Sequence, residues 1–116
     1  IKALKSAVKT VNGLSVIDKV YPDLNAQDLK YIADALRNEI ENILIILAST
    51  QNDKVVFVVA CDKAANALDI NAGSIAKELA VLTGGNGGGR KDFAQSGGKD
   101  VDKVDLAIKS IVESLA

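Results

Sequence analysis

The chain has 116 residues, of which 48% are hydrophobic and 25% are charged, and its formal net charge is −1. This length and composition are typical of one globular domain, and the near-neutral charge argues against a protein that holds nucleic acid by bulk electrostatics alone. Histidine is absent and Cys61 is the single cysteine, which excludes an internal disulfide, a zinc site and His-dependent nucleophilic pairs. No apolar run reaches the roughly 18 residues of a membrane span.

The first predicted element is a β-hairpin. Asn12-Gly13 lies between 6–11 and 14–21, two segments rich in β-branched residues. Asn-Gly with such flanks indicates a hairpin turn, because both central residues of that turn need positive φ. We expect the second strand to end at Pro22.

An amphipathic helix is predicted next. Apolar residues recur at spacings of three and four over 29–40, with polar residues between them. Asn25 is the expected N-cap, and Asp28 three residues later makes a variant of the capping box. One face of this helix is expected to lie on a sheet.

Two strands are predicted from the apolar runs 43–49 and 55–61, which the short polar segment 50–54 joins. Continuous apolar character indicates strands covered on both faces, and the short connection makes them antiparallel neighbours. Phe57 is expected in the core, and Cys61 is expected to be a buried structural thiol.

A second helix is predicted over about 72–83, with Gly84 as its left-handed C-cap. A last helix is expected from an N-cap at Asp100 to Leu115, and 93–98 is a short candidate edge strand. The predicted fold is therefore α/β of the α+β type. It has a mixed sheet built from two hairpins plus a short edge strand, packed with three helices in the order β-β-α-β-β-α-(β)-α.

Residues 84–98, GGNGGGRKDFAQSGG, hold seven of the nine glycines. A Walker A loop is excluded because Arg90 and Lys91 stand where Lys and a hydroxyl residue are needed. GxGxxG started at Gly85 fails at Arg90, and both motifs must follow a strand, whereas this stretch follows a predicted helix. Three roles stay open: an anion site of backbone amides with the two cations, close approach of a flat partner, or a flexible connector.

Positive charge is concentrated in two segments. Residues 1–22 carry four lysines against one aspartate, and 84–99 carry three cations against one aspartate, while 23–53 carries six acids against two cations. If the two basic segments meet in space they form a basic face; otherwise their lysines are scattered in solvent.

Residues 87–98, GGGRKDFAQSGG, resemble the DHHA1 domain at the C-terminus of alanyl-tRNA synthetases, whose signature is GGGR-P-D, then Phe or Met, then AQ-x-GG. The preceding AGSIAKELAVLTGG, the final helix and the hairpin at the front follow the same layout. Lys91 stands where the family usually has proline, which removes a fixed φ and puts a rigid loop shape in doubt. We therefore expect a single DHHA1-like domain over 1–116, excised from a longer chain.

The resemblance implies a domain without catalytic residues that binds the outer corner of tRNA, so that aminoacylation and editing modules share one tRNA. Arg90 and Lys91 are expected to contact phosphate or ribose, and the three glycines before them to allow close approach. Phe93 either stacks on a base or, as we favour, folds inward and pins the loop. The candidate nucleic-acid-binding residues are Gly87, Gly88, Gly89, Arg90, Lys91, Phe93 and Gln95.

The resemblance also implies a parent enzyme that is cytoplasmic and uses ATP, magnesium and zinc, with no cofactor in this fragment. The implied partners are alanine-specific tRNA and other domains of the same synthetase. No membrane association is expected. Two alternatives stay open. One is the nucleotide-clamping domain of a DHH-type phosphoesterase, although such domains have His where this chain has Arg90. The other is a self-association module that forms a homodimer.

Overall fold

One mixed sheet is the centre of the computed structural model, which describes residues 8–115. The strands are β1 (Lys9–Val11), β2 (Leu14–Pro22), β3 (Ile43–Gln51), β4 (Lys54–Cys61), β5 (Asn86–Gly89) and β6 (Phe93–Gly98). The helices are α1 (Ala26–Glu39), α2 (Lys63–Ala67), α3 (Ala72–Leu82) and α4 (Val104–Ser114), with a 3₁₀ turn at Val101–Lys103. The strand order is β1-β2-β3-β4-β6-β5, in which only β2 and β3 are parallel. The predicted mixed α/β fold is confirmed.

The Asn-Gly hairpin joins β1 to β2 as predicted. Asn12 and Gly13 have φ of 51° and 81°, the positive values that a two-residue hairpin turn needs. β2 ends at Pro22, as expected. Residues 6 and 7 of the predicted first strand lie outside the described residues.

Helix α1 makes the crossover that parallel pairing of β2 with β3 requires. Its capping box is confirmed: Asp28 N–H donates to Asn25 Oδ1 at 2.8 Å, and Asn25 N–H donates to Asp28 Oδ2 at 3.4 Å. Leu29, Ala33 and Leu36 are fully buried, so the predicted apolar stripe is the face that packs on the sheet.

Strands β3 and β4, here called the central hairpin, form the core of the sheet. They are antiparallel neighbours, and alternate residues face opposite sides, so that Leu44 belongs to one buried cluster and Ile45 to the other. Helix α1 covers one face and helices α3 and α4 cover the other. The predicted burial on both faces is confirmed, and Phe57 and Cys61 are fully buried.

The glycine-rich stretch departs from the predicted loop. β5 and β6, here called the glycine hairpin, form a third hairpin, so 93–98 is an interior strand between β4 and β5 and the edge strand is β5. Sequence analysis missed β5 because four residues of Asn and Gly carry no apolar alternation and are depleted in strands. It also missed α2, which is too short for helical periodicity.

The end of α3 and the start of α4 differ in how well they were predicted. Gly84 has φ of 76° after α3, which confirms the left-handed C-cap. Asp100 lies at the N-cap position of the 3₁₀ turn that leads into α4, but the predicted side-chain cap is wrong, because its side chain makes no capping hydrogen bond. The N–H groups of Lys99 and Asp100 both donate to the Thr83 carbonyl. Asp100 is held there at ψ 78°, whereas Asn25, a true N-cap, has ψ 169°.

Candidate nucleic-acid interface

The glycine hairpin brings the sequence-predicted site residues together at one side of the sheet. β5 is the outermost strand there, and a short turn leads from it into β6. The backbone N–H of Arg90 donates to the Phe93 carbonyl at 3.0 Å and closes the turn. The candidates are distributed as Gly87, Gly88 and Gly89 on β5, Arg90 and Lys91 in the turn, and Phe93 and Gln95 on β6.

Two of the three candidate glycines have a structural reason inside the fold. A Cβ added to Gly87 would lie 2.5 Å from Ser96 Cα, and one added to Gly89 would lie 2.8 Å from Ala94 Cα. Both distances are far shorter than van der Waals contact. Gly88 is different, because an added Cβ there would meet nothing closer than 3.8 Å. The nearest atom to that Cβ is the Gly73 carbonyl oxygen of α3, and Gly88 is half-buried, whereas Gly87 and Gly89 are exposed.

The turn exposes its cations but balances part of their charge. Arg90 Nε lies 3.5 Å from Asp92 Oδ1, and the Arg90 side chain is 77% exposed. Lys91 is exposed, and no ion pair among residues 8–115 involves it. The turn thus presents one paired and one unpaired cation to solvent.

The backbone of the turn is held from below at the Lys91 carbonyl. This oxygen accepts from the backbone N–H of Ala72 at 2.8 Å, from Asn66 Nδ2 at 2.9 Å and from Cys61 Sγ at 3.1 Å. The donors lie on or beside β4, α2 and α3. These hydrogen bonds hold the position where the family usually has proline, so the turn keeps a defined backbone although Lys91 lacks the ring.

Phe93 lies inward, the arrangement that sequence analysis favoured. It is half-buried and packs against the apolar cluster beneath α1. The Arg37 guanidinium lies 5.5 Å from the centre of the Phe93 ring, and Arg37 Nη1 donates to the Asp92 carbonyl at 3.1 Å. Arg37 also pairs with Asp34 at 2.9 Å. Helix α1 therefore fixes the turn through one arginine, a contact that the helical pattern alone does not reveal.

Gln95 marks the point where two surface grooves meet. The first, of about 620 Å³, runs along the base of the glycine hairpin and is lined by Lys54, Val55, Val56, Gly84, Gly85, Asn86, Gln95, Ser96, Gly97, Gly98 and Lys99. The second, of about 580 Å³, lies beside α1 and is lined by Ala26, Gln27, Lys30, Tyr31 and Gln95. Neither lining contains a carboxylate. The sequence does not predict that these cations and the exposed tyrosine share one surface, because they lie on three separate segments.

The two basic sequence segments do not form one face. The described lysines of the first segment, Lys9 and Lys19, lie on β1 and β2, while Arg90 and Lys91 lie at the opposite side of the sheet. Three strand spacings separate β2 from β6, which is roughly 14 Å at about 4.8 Å each. The basic surface near the glycine hairpin combines Lys99 of the second basic segment with Lys30 and Lys54, which lie outside both segments.

Cys61 is a packed thiol beneath the turn. Burial raises its pKa, and the carboxylates of Asp62 and Asp92 add to the rise, which outweighs the donors from Ala72 and Asn66. The thiol is therefore held in its protonated form, which is a poor nucleophile and a poor metal ligand.

No group of three potential metal ligands occurs in the part of the chain that the structure describes. None of the helices within residues 8–115 is long and apolar enough to cross a membrane.

The mixed sheet, the helices on its two faces and the glycine hairpin define a class of domain. Comparison of this chain with known proteins identifies that class. Residues 5–116 match the model of the DHHA1 domain, and the chain belongs to the DHHA1 family. The alanine–tRNA ligase of Fusobacterium nucleatum is 41% identical over 112 residues, which cover 97% of this chain and 13% of that protein. The enzyme of Alkaliphilus oremlandii is 39% identical over 105 residues, 90% of this chain and 12% of that protein. The chain therefore spans about an eighth of the length of these relatives.

A solved structure shows the same fold. The C-Ala domain of Aquifex aeolicus alanyl-tRNA synthetase superposes with a TM-score of 0.86 at 31% identity, over 93% of this chain and 96% of that one. The resemblance inferred from the glycine motif is confirmed. A pGpG-specific phosphodiesterase of Vibrio cholerae matches at 16% identity and a TM-score of 0.56, with 36% of its chain covered. That second likeness shows the fold alone.

Proposed function

We propose that this chain is the tRNA-binding C-terminal domain of an alanine–tRNA ligase. In this role it holds the outer corner of alanine tRNA while aminoacylation and editing modules elsewhere in the enzyme act on the same molecule. The observation that carries the proposal is the likeness to the C-Ala domain over nearly the whole of both chains. The chemistry, with its ATP, magnesium and zinc, belongs to other parts of a cytoplasmic enzyme, because this sequence contains no histidine and offers no paired acid and base.

The geometry of the turn supports a binding role. Arg90 and Lys91 are exposed on a backbone that hydrogen bonds from three neighbouring segments hold in place. A preorganised backbone reduces the entropy lost on binding, and the two side chains supply the charge that attracts phosphate. Gly87 and Gly89, which are exposed and carry no side chain, provide a place for ribose or a base edge to approach the main chain. Gln95 adds an exposed amide on the same hairpin.

The affinity of the isolated domain is expected to be weak. Few cations are available to release counterions from RNA, and the net charge of the chain is −1. In a longer enzyme the domain would be tethered to modules that bind the same tRNA, and tethering supplies a high effective concentration. Weak binding alone is therefore compatible with the proposed function.

Fluorescence anisotropy with labelled alanine tRNA at low and moderate salt tests this proposal. We expect salt-sensitive binding by the wild-type domain and weaker binding by the double variant Arg90→Ala/Lys91→Ala. The matched control is Lys9→Ala/Lys19→Ala, which removes the same charge at the other side of the sheet. Circular dichroism shows whether each variant is folded. Absence of binding by the folded wild-type domain at high micromolar concentration would contradict the proposal.

A second role, self-association, is favoured by an exposed apolar patch. Val81 and Leu82 at the end of α3 and Leu106 on α4 are 67%, 41% and 70% exposed. The last two line a mostly apolar groove of about 380 Å³. Equilibrium sedimentation of the wild-type domain and of Leu106→Glu tests this role. A monomer at all concentrations in both proteins would exclude it.

A further inference from the structure

The two grooves that meet at Gln95 carry a surplus of positive charge. Lys54 and Lys99 line the first groove and Lys30 lines the second, and neither contains an aspartate or glutamate. The ion pairs among residues 8–115 involve other cations, so these three ammonium groups lack a carboxylate partner.

Another groove on this molecule shows that such a surplus is not general. The groove of about 370 Å³ between β1, β2 and α4 also has two lysines, Lys9 and Lys109, but it is lined by three acids as well. Its carboxylates are Asp18, Asp105 and Glu113. An anion would be attracted to the grooves at Gln95 and repelled by this one.

The placement of Lys54 beside Lys99 is itself unfavourable to the fold. The β4–β6 ladder ends at the pair of Val55 with Gly98, so Lys54 and Lys99 are the next residues beyond it, and both line the first groove. Two ammonium groups that line one groove repel each other. An anionic ligand between them would relieve this repulsion.

An aromatic ring completes the surface. Tyr31 is 73% exposed and lines the groove beside α1, together with Gln27, Lys30 and Gln95. Exposed aromatic rings next to a basic groove are the usual platform for an unpaired base. The amide groups of Gln27 and Gln95 offer both donors and acceptors to base edges.

The dimensions suit a nucleic-acid strand. Gln95 on β6 and Lys99, which directly follows β6, are four residues apart, which is roughly 14 Å of extended chain. Phosphates along one strand are farther apart than the 3.4 Å or so that separates them along the duplex axis, so this length spans only a few of them. The lysines, the glutamine amides and the tyrosine ring of the two grooves are arranged along the direction from Lys99 through Gln95 toward α1.

We propose that an RNA strand of the bound tRNA follows this surface, with phosphates at Lys54, Lys99 and Lys30 and an unpaired base stacked on Tyr31. The inference rests on the tRNA-binding function proposed above and adds a route distinct from the Arg90–Lys91 turn. Gln95 is the common wall of both grooves and contacts the strand where it passes from one to the other.

Salt-dependent binding of alanine tRNA by charge-matched variants tests the route. The route variant is Lys30→Ala/Lys54→Ala/Lys99→Ala, and the control is Lys9→Ala/Lys19→Ala/Lys77→Ala, which removes three exposed lysines elsewhere. We expect the route variant to bind at least about 10-fold more weakly than the control at moderate salt. Its plot of log K against log salt should be shallower by about 1 per contacting lysine.

Substitutions of Tyr31 provide a second test of the route that does not depend on charge. Tyr31→Ala is expected to weaken binding by about 5- to 150-fold, the range found when a stacked aromatic is removed, and Tyr31→Phe is expected to keep it. Because the side chain is mostly exposed, neither change should disturb folding.

The outcomes separate the route from the proposed function. If wild-type protein binds but the route and control variants weaken equally, or if Tyr31→Ala binds like wild type, the route is overturned and tRNA binding stands. If wild-type protein does not bind at all, the proposed function fails and the route fails with it. Selective loss in the route variant and in Tyr31→Ala supports both.

Discussion

In the central hairpin, every residue from Ile43 to Ala48 is fully buried, and large aliphatic side chains fill both faces. In the glycine hairpin beside it, β5 is mostly exposed and has no side chain larger than Asn86. The first pair of strands is stabilised by side-chain volume, whereas the second depends on close contact between backbones. Gly73 of α3 approaches Gly89 so closely that an added Cβ would lie 2.5 Å from its carbonyl oxygen.

The two hairpins should therefore tolerate opposite kinds of substitution. Removing volume should damage the central hairpin, because cavities in a packed core cost both transfer and contact energy. Adding volume should damage the glycine hairpin, because backbone atoms cannot move aside as a flexible side chain can. The same contrast explains why one hairpin builds the core and the other presents a surface.

The largest effect is expected from truncating the central hairpin. Phe57→Ala removes the largest fully buried side chain and should lower the free energy of unfolding by about 3–5 kcal/mol. Urea denaturation followed by circular dichroism measures this loss. Tyr31→Ala, which truncates an exposed aromatic, is the control and should change stability by less than about 0.5 kcal/mol. A loss below about 1 kcal/mol for Phe57→Ala would show that side-chain volume does not stabilise the central hairpin.

The next largest effect is expected from adding a methyl group under the glycine hairpin. Gly→Ala inside a helix normally stabilises by up to about 1 kcal/mol, but at Gly73 the new Cβ would meet the Gly89 and Arg90 carbonyls at 2.5 and 3.1 Å. We expect a loss of about 1–3 kcal/mol instead. Gly13→Ala, which has open space but φ of 81°, isolates the backbone term of about 1–2 kcal/mol. Stabilisation by Gly73→Ala would show that α3 does not pack as described.

The two hairpins also differ in the hydrogen bonding of one buried serine hydroxyl in each. Ser49 Oγ in β3 accepts from Leu24 N–H at 2.8 Å, whereas the buried Ser96 Oγ in β6 has no hydrogen-bond partner. Ser49→Ala should cost about 1 kcal/mol, because it leaves that N–H unpaired. Ser96→Ala should be neutral or stabilise by up to about 1 kcal/mol. Denaturation midpoints measure both, and a larger loss at Ser96 would reveal a partner for its hydroxyl.

The smallest effect concerns Cys61, which joins the two hairpins through the Lys91 carbonyl. Burial raises the pKa of this thiol above its ordinary value of 9.0, so the folded state holds the proton more tightly than the unfolded state. Its contribution to stability is full below pH 9 and is lost as the pH rises through the folded-state pKa. By pH 9.5 the loss should stay below about 1 kcal/mol. Cys61→Ala should remove this part of the pH dependence; identical profiles for both proteins would contradict it.

The central hairpin and the helices that cover it could be predicted because their apolar side chains form patterns that are visible in the sequence. Continuous apolar runs at 43–49 and 55–61 indicated buried strands, and the spacing over 29–40 indicated the face of α1. Asn12-Gly13 specified a turn through its backbone requirement. In each case the residues that form the element also carry the pattern that predicts it.

The glycine hairpin could not be predicted in the same way. β5 pairs through its backbone and packs through the absence of side chains, and neither property leaves a periodic signal in a sequence. Asp100 has the right residue type for a capping side chain. However, the N–H groups of residues 99 and 100 donate to the Thr83 carbonyl and hold the Asp100 backbone at ψ 78°, where its side chain makes no capping hydrogen bond. These contacts depend on where the end of α3 lies in the fold.

The candidate site was predicted in part. The glycine motif located the candidate residues, although as a loop and not as a hairpin, and the inward position of Phe93 was the arrangement that we favoured. Lys30 lies on α1, Lys54 at the start of β4 and Lys99 just after β6, so they line the two grooves only after the fold has assembled. The two basic segments suggested a different surface, in which they meet. They do not meet because β1 and β2 lie at the opposite side of the sheet from β5 and β6.

The anchored carbonyl of Lys91 makes this position suited to a spectroscopic reporter. Three donors fix the main chain there while the side chain points into solvent. In Lys91→Cys the introduced thiol would be the accessible one, since Cys61 is fully buried, so a maleimide dye or nitroxide would attach at a single place. Its signal would then follow encounters with RNA with little contribution from loop motion.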